Sequence, residues 1–463
     1  MPDKKIFILL PDGIGLRNFA YSNFYGLGIA QGFEPVFWNN TPFELTSLGF
    51  NEIKIKNAKA HPLTDIYKNA RKHIELNHFI KRSCDPIYDS YRFPFIYKSI
   101  KASLKNFTTQ LIIALHSSEK GLQSVRGQIK KQERKTTFYQ HCLEILQKEK
   151  PALVFCTNQR PMLAIAPLLA ARDLNIPTAT FIFSWDNLPK ATMIVETDYY
   201  FVWSDHMKKE LLYYYDYIEE SQVFVTGTPQ FENHFNQDKI VSREEFFVSN
   251  GLDIKKKYIC FSGDDITTSP DDPQYLADVA DAVRDLNTQG HNLGIIFRRC
   301  PVDFSERYDK VLAQNQDIIF SLAPLWKKIG DVWNTILPTK EDVVLQQNTI
   351  AHTEMVINLG SSMVFDYACF NKSCVYINYD AAEKLTADYW SVKKIYRYVH
   401  FQSMPSKEAV LWCNDKNQFT SIIKKALEGK LSNVAAAKNW LARIAGENPA
   451  QASENIWNAI KKI

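Results

Sequence analysis

Short apolar runs closed by glycine, proline or polar residues alternate along the chain with segments of helical spacing. Lys5 to Leu10 is a continuous apolar run of the kind buried parallel strands show. It stops at Pro11-Asp12-Gly13-Ile14-Gly15, and residues 16–27 then follow helical spacing. A second run covers Glu34 to Trp38. Strand, glycine loop, helix and strand in that order predict the opening of a doubly wound α/β domain. From about Pro62 to Lys150 the pattern is helical, rich in Lys, Arg and Tyr. Alternation then resumes, with strands at 152–156, 178–183, 198–203 and 222–226 and helices at 161–173 and 204–215.

A polar stretch at 235–241 separates this series from a second one. Strands are predicted at 257–261 and 292–297, with a helix at 272–289 between them. Short strands at 318–321 and 342–345, a helical turn at 349–353 and a strand at 355–358 come next. Gly360-Ser361-Ser362, a helix at 363–370 and a strand at 374–378 complete the pattern. Near the end, Ile456, Trp457, Ile460 and Ile463 fall on one helical face. The expectation is an α/β protein of two doubly wound, Rossmann-like domains, 1–237 and 238–447. The first carries a helical insertion at about 62–150, and a C-terminal helix, 448–463, returns to it.

Composition adds limits. The 463 residues are 45% apolar, 13% aromatic and 23% charged, which suits a soluble chain with more than one core. No run approaches the ~20 apolar residues of a membrane span. The run at 6–10 is too short for a signal-peptide core, so a cytoplasmic protein without an export signal is expected. Eight cysteines are scattered without a CxxC pair, as reduced, mostly buried thiols would be. The net charge is only +4 but uneven: residues 68–135 hold 15 Lys/Arg against 5 Asp/Glu, leaving the remainder acidic. No nucleic-acid module accompanies this segment, so no nucleic acid is expected as partner. Its mixture of cations and aromatics suits a solvated helical face or an anionic membrane surface, the latter placing the protein peripherally at the inner face of the cell membrane.

Several positions could carry chemistry. Ser361 and Ser362 sit where a helix N-terminus follows a strand, a place that binds phosphate, or they simply cap the helix. Asp366, one turn on, could accept hydrogen bonds from ribose hydroxyls or face solvent. Arg298 and Arg299 end a strand and project toward the crevice where open α/β sheets bind ligands; a structural ion pair is the alternative. Gly263 ends another strand and permits close backbone approach. The adjacent Asp264 and Asp265 point apart and are not expected to hold a metal. His352, just before the strand at 355–358, is a diphosphate ligand or an ordinary helix-end histidine. Asp12, in a glycine-rich turn, and Asp186, in Trp185-Asp186-Asn187, are cleft carboxylates or turn-formers.

The segment from Met355 to Ile377, with its Gly360-Ser361-Ser362 turn and following Asp366, resembles the nucleotide-binding element of GT-B glycosyltransferases. It is most like those of capsule and teichoic-acid-type (glycerophosphotransferase-like) enzymes. Phe297-Arg298-Arg299-Cys300-Pro301 resembles their basic strand-end motif, with cysteine where many have histidine. Ser184 to Leu188, Val202-Trp203-Ser204 and Val225 to Pro229 follow the same order. The resemblance implies an inverting, metal-independent transferase of surface-polysaccharide biosynthesis that needs no cofactor beyond its nucleotide-sugar co-substrate. Gly263, Arg298, Arg299, His352, Gly360, Ser361, Ser362 and Asp366 would bind the donor. Asp12, or else Asp186, would deprotonate a lipid-linked or oligosaccharide acceptor. The same architecture also suits a polyol-phosphate transferase, a sugar-nucleotide epimerase or a non-catalytic binding protein.

Overall fold

The computed structural model describes residues 4–330, 335–382, 384 and 390–463. The chain divides into two compact units: Met1–Pro229 with Gln451–Ile463, and Gln230–Ala450. The sequence-drawn boundary after residue 237 therefore lies inside the second unit.

Unit 1 is built on seven strands: β1 (Lys4–Leu10), β2 (Phe33–Asn39), β3 (Glu52–Lys54), β4 (Leu153–Cys156), β5 (Thr178–Phe181), β6 (Tyr199–Val202) and β7 (Val223–Val225). They are all parallel, in the order β3-β2-β1-β4-β5-β6-β7. Ile6 to Leu10 and Leu153 to Cys156 are buried on both faces, which explains their unbroken apolar character. The single helix expected after β1 is two, α1 (Gly15–Phe19) and α2 (Phe24–Ala30). The Ser22 hydroxyl divides them, donating to Asn18 O at 2.6 Å and accepting from Phe24 N. The insertion between β3 and β4 comprises α3 (Thr64–Ser83), α4 (Ile100–Leu115), α5 (Glu119–Glu133) and α6 (Thr137–Glu149). The last three begin where Ser99, Ser118 and Thr136 accept a hydrogen bond from the amide three residues on. Helices α7 (Ile165–Asp173) and α8 (Asp205–Tyr214) complete the wound layers.

Unit 2 carries β8 (Lys257–Ser262), β9 (Leu293–Arg298), β10 (Ile319–Ser321), a small antiparallel ribbon of β11 (Lys327–Lys328) and β12 (Ile336–Leu337), then β13 (Met355–Asn358), β14 (Ser373–Ile377) and β15 (Leu411–Cys413). Its main sheet is parallel, ordered β10-β9-β8-β13-β14-β15. The helices are α9 (Arg243–Ser249), α10 (Asp272–Thr288), α11 (Asp309–Gln314), α12 (Lys340–His352), α13 (Met363–Cys369), α14 (Val392–Ile395), α15 (Phe419–Leu427) and α16 (Val434–Ala445). Residues 342–345, expected as a strand, are helical. Thr339 caps α12 by accepting from Asp342 N, and Glu341 and Asp342 occupy its first turn, so capping outweighs the apolar Val343-Val344-Leu345 run.

The last helix, α17 (Ala452–Ile460), belongs to unit 1. Trp457 stacks on Phe24 and Phe33, with ring centroids 4.7 and 4.9 Å apart, and its Nε1 donates to Phe24 O. A Cβ on Gly28 would lie 2.4 Å from the Trp457 ring, so only glycine admits this docking. All eight cysteines are free thiols, seven of them buried or half-buried.

Candidate functional site

Both main sheets wind outward in two directions from an inner pair of strands: β1 and β4 in unit 1, β8 and β13 in unit 2. The carboxyl ends of such a pair open a crevice where α/β sheets bind ligands. In unit 1 Asp12 follows β1 and Asn158 follows β4. The Asn158 amide donates to Asp12 Oδ2 at 3.0 Å, and Ile14 N donates to Oδ1 at 3.2 Å. Asp12 is buried, and desolvation raises its pKa to about 6 against the opposing pull of those hydrogen bonds and of Arg160. The neighbouring Gln159 donates to Asn187, which in turn donates to Asp186 at 2.9 Å. The structure thus brings both candidate carboxylates to one edge. They differ in state: Asp186 is ion-paired with Lys190 and accepts from Ser184.

Cations gather at the same edge. Burial and then repulsion from Lys68, Lys190, Arg160 and Arg92 bring the Lys72 ammonium down to about 8. Lys68 is lowered too, mainly by burial, with Arg160 and Lys105 adding repulsion. Arg160 therefore acts electrostatically on Asp12, Lys68 and Lys72 alike. Sequence reasoning did not single out Lys68, Lys72, Arg160 or Lys190. They come from α3, the loop after β4 and the loop after β5, and only folding makes them neighbours.

In unit 2 the crevice is lined differently. Gly360 has φ +70° and packs against Phe401, Ile395 and Tyr396 where a side chain would project. The Ser361 amide donates to Asn358 Oδ1, its hydroxyl accepts from Met363 N, and its carbonyl accepts from Tyr376 OH. Ser362 precedes α13 without capping it through its side chain. Beside this turn lies a cavity of about 540 Å³ lined by Tyr396, Phe401, Met404 and Trp412, with Asn378, Asn414 and Lys407 as polar members. Asn378 and Asn414 directly follow β14 and β15, and the first donates to the second at 2.6 Å. Tyr396 stacks on Tyr376 and meets Trp412 edge-on. The aromatic richness of residues 396–412 was the readable sign of this cavity.

Three donor candidates, Arg298, Asp366 and His352, are engaged by partners within the protein. Arg298 is buried, its Nη2 bonded to both oxygens of Asp342 at 2.9 Å. Asp342 also accepts from Leu325 N and Trp326 Nε1, so this is an interior ion pair. Arg299 is half-buried at the strand end, where it donates to Asp303 O at 3.4 Å and its guanidinium lies over the Tyr308 ring at 5.5 Å. Asp366 is buried and bonded to His234 Nε2 at 2.6 Å, which ties α13 to residues 229–235. His352 sits before β13, at the opposite end of that strand from Ser361. There it bonds to Val241 O and stacks on Phe246. Gly263 is required by packing, since a Cβ would lie 2.9 Å from Tyr308 OH. Asp265 closes a local turn with Thr267 and Thr268, and Asp264 is held toward its neutral form by burial and by Asp272. Among the described residues no three His, Cys, Asp or Glu side chains gather as a metal site would require.

The basic segment is also less free than its sequence suggests. Arg126 and Lys130 pair with Glu196, Arg134 forms a two-pronged bond to Asp173, and Lys105 pairs with Asp65. Arg71, fully buried, is held by Glu75, Glu196 and Tyr217. Arg71, Arg126, Lys130 and Arg134 thus fasten the insertion to Glu196 and Asp173 outside it. Among the described residues no helix is long and apolar enough to cross a membrane.

Two parallel, doubly wound sheets place the chain in the GT-B fold class. No family model matches the sequence, and no curated protein does. Solved structures do match in fold. A UDP-GlcNAc 2-epimerase from Methanocaldococcus jannaschii aligns with a TM-score of 0.52 at 13% identity, over 99% of this chain and 100% of that one. A glycosyltransferase from Rickettsia africae aligns at 0.51 and 11% identity, over 100% and 99%. The S. aureus MnaA–UDP co-structure aligns at 0.50 and 14% identity, over 99% and 96%.

Proposed function

We propose that the protein is a nucleotide-sugar-dependent glycosyltransferase whose acceptor carries negative charge. The observation that carries this reading is Asp12. It is a buried carboxyl at the crevice of unit 1, with a pKa of about 6, and a set of cations shares its edge. A general base with a pKa near the working pH is partly ionised and still basic enough to take a proton. In the proposed reaction Asp12 takes the proton of an acceptor hydroxyl. The oxygen attacks the anomeric carbon, and the nucleotide leaves with the bonding pair on its phosphate oxygen. Lys68, Lys72 and Arg160 hold an acceptor phosphate or carboxylate. On unit 2 the aromatic cavity takes a flat ring of the donor, base or sugar. The Ser361 and Ser362 hydroxyls and Arg299 meet its phosphates, and charge stabilisation there assists departure.

Purified protein incubated with UDP-, CDP-, GDP- and dTDP-sugars, with and without a polyprenyl-phosphate-linked saccharide, tests this. Transfer predicts nucleotide release that depends on the acceptor. A changed sugar configuration without acceptor would identify an epimerase instead, and CMP release from CDP-glycerol a polyol-phosphate transferase. Nucleotide binding without turnover under any condition would leave a binding protein.

A further inference from the structure

Helix α4 leaves one face uncovered. Ile100, Leu104, Phe107, Leu111 and Leu115 are 90, 65, 64, 48 and 69% exposed. Their spacing of four, three, four and four residues puts all five within an arc of roughly 80° on a helix about 22 Å long. The other side of α4 is occupied: Thr109 is buried, and Lys105 reaches Asp65 on α3. At the N-terminal end the stripe continues into Phe93, Ile96 and Tyr97, exposed by 80, 55 and 56%. A contiguous apolar surface of this kind is uncommon on a protein that meets only water.

We infer that α4 and the segment before it form a membrane-surface anchor that lies in the headgroup layer of an anionic bilayer. Charge selects this occupant. From Ser90 to Ser118 the chain contains no Asp or Glu, while Lys98 and Lys101 stand exposed at the start of the stripe. Apolar side chains on one face, lysines at its margin and an aromatic cluster at one end match what interfacial helices present to lipid. In the basic run at 126–134, Arg126, Lys130 and Arg134 are instead engaged in ion pairs with Glu196 and Asp173. The anchor lies in the same insertion as Lys68 and Lys72, though the inference stands whether or not the transferase reading does.

The test is flotation of the full chain with vesicles of phosphatidylcholine alone or mixed with phosphatidylglycerol. The wild type should float with the anionic vesicles and much less with the neutral ones. Replacing Ile100, Phe107 and Leu111 together by serine should abolish flotation with no change in thermal melting, because the three side chains are already exposed. Lys98→Gln with Lys101→Gln should weaken binding to anionic vesicles by about thirtyfold and leave the neutral background unchanged. A wild type that stays in solution with anionic vesicles, or a triple variant that floats like it, would overturn the inference. So would a dimer in sedimentation velocity that the triple serine variant dissolves, since the stripe would then be a contact between two copies.

Discussion

The crevices of the two units occupy the same topological position and hold opposite kinds of chemistry. In unit 1 the strand ends present ionisable groups whose charges remain in play: Asp12 near a pKa of 6 and Lys72 near 8. In unit 2 Arg298 is paired with Asp342 in the interior, and Asp366 is hydrogen-bonded there to His234. What faces its crevice is a glycine turn, two hydroxyls and an aromatic cavity. In the proposed reaction the first edge moves a proton and attracts an anion, and the second holds a ring. A shared winding rule dictates where a site forms, and the side chains on the connecting loops dictate what it does.

The sharpest break of this contrast is Asp12→Asn. As general base its loss should lower kcat by about 10²–10⁴ with little change in KM. The wild-type rate should climb on the acid side with a midpoint near pH 6. Stability moves the other way. The folded pKa lies above the ordinary 3.8, so the native state holds its proton longer than the unfolded chain. Wild-type stability then falls as pH rises from about 4 to about 6, by roughly 3 kcal/mol in all. Asp12→Asn should accordingly melt no lower than the wild type at pH 8.

The next test separates two neighbours in unit 2. Arg298→Ala strands the Asp342 carboxylate in the interior and should destabilise the protein by about 3–5 kcal/mol, seen in a denaturant titration. Arg299→Ala should leave melting unchanged and weaken binding of nucleoside diphosphates about tenfold by calorimetry. Equal effects on folding would erase the distinction between buried and ligand-facing arginine. Trp412→Ala, which strips one wall from the cavity, should also cost about tenfold or somewhat more in nucleotide-sugar affinity, as loss of one stacking partner does. The smallest effect expected is for Lys72→Gln. A severalfold rise in KM for an anionic acceptor, with a weaker dependence on salt, would support an anion site in unit 1. An unchanged KM would confine anion binding to unit 2.

The architecture was legible because buried parallel strands write themselves as apolar runs, as at Ile6 to Leu10 and Met355 to Ile357. Two short edge strands were not: β3 and β15, although β7 and β10, equally short, were. Asp342 to Leu345 misled because three consecutive apolar residues look alike in a buried helix and a strand, and only the Thr339 cap decides. The places of the glycine–serine turn and Asp12 at strand ends were legible because backbone geometry constrains them locally. Arg298, Asp366 and His352 were the right residue types in suggestive places, but their partners, Asp342, His234 and Phe246, lie dozens to more than a hundred residues away.

By itself, then, the sequence determined most of the alternating strands and helices and the loops that end at each crevice, since periodicity and turn residues act over a few positions. Tertiary structure alone decided which charges are spent and which remain. The basic insertion shows this most clearly. Its cations at 126–134 reach across to Glu196 and Asp173, while the apolar face of α4 finds no partner. Ion pairing and burial depend on groups that folding brings together from distant parts of the chain, and no local pattern records them.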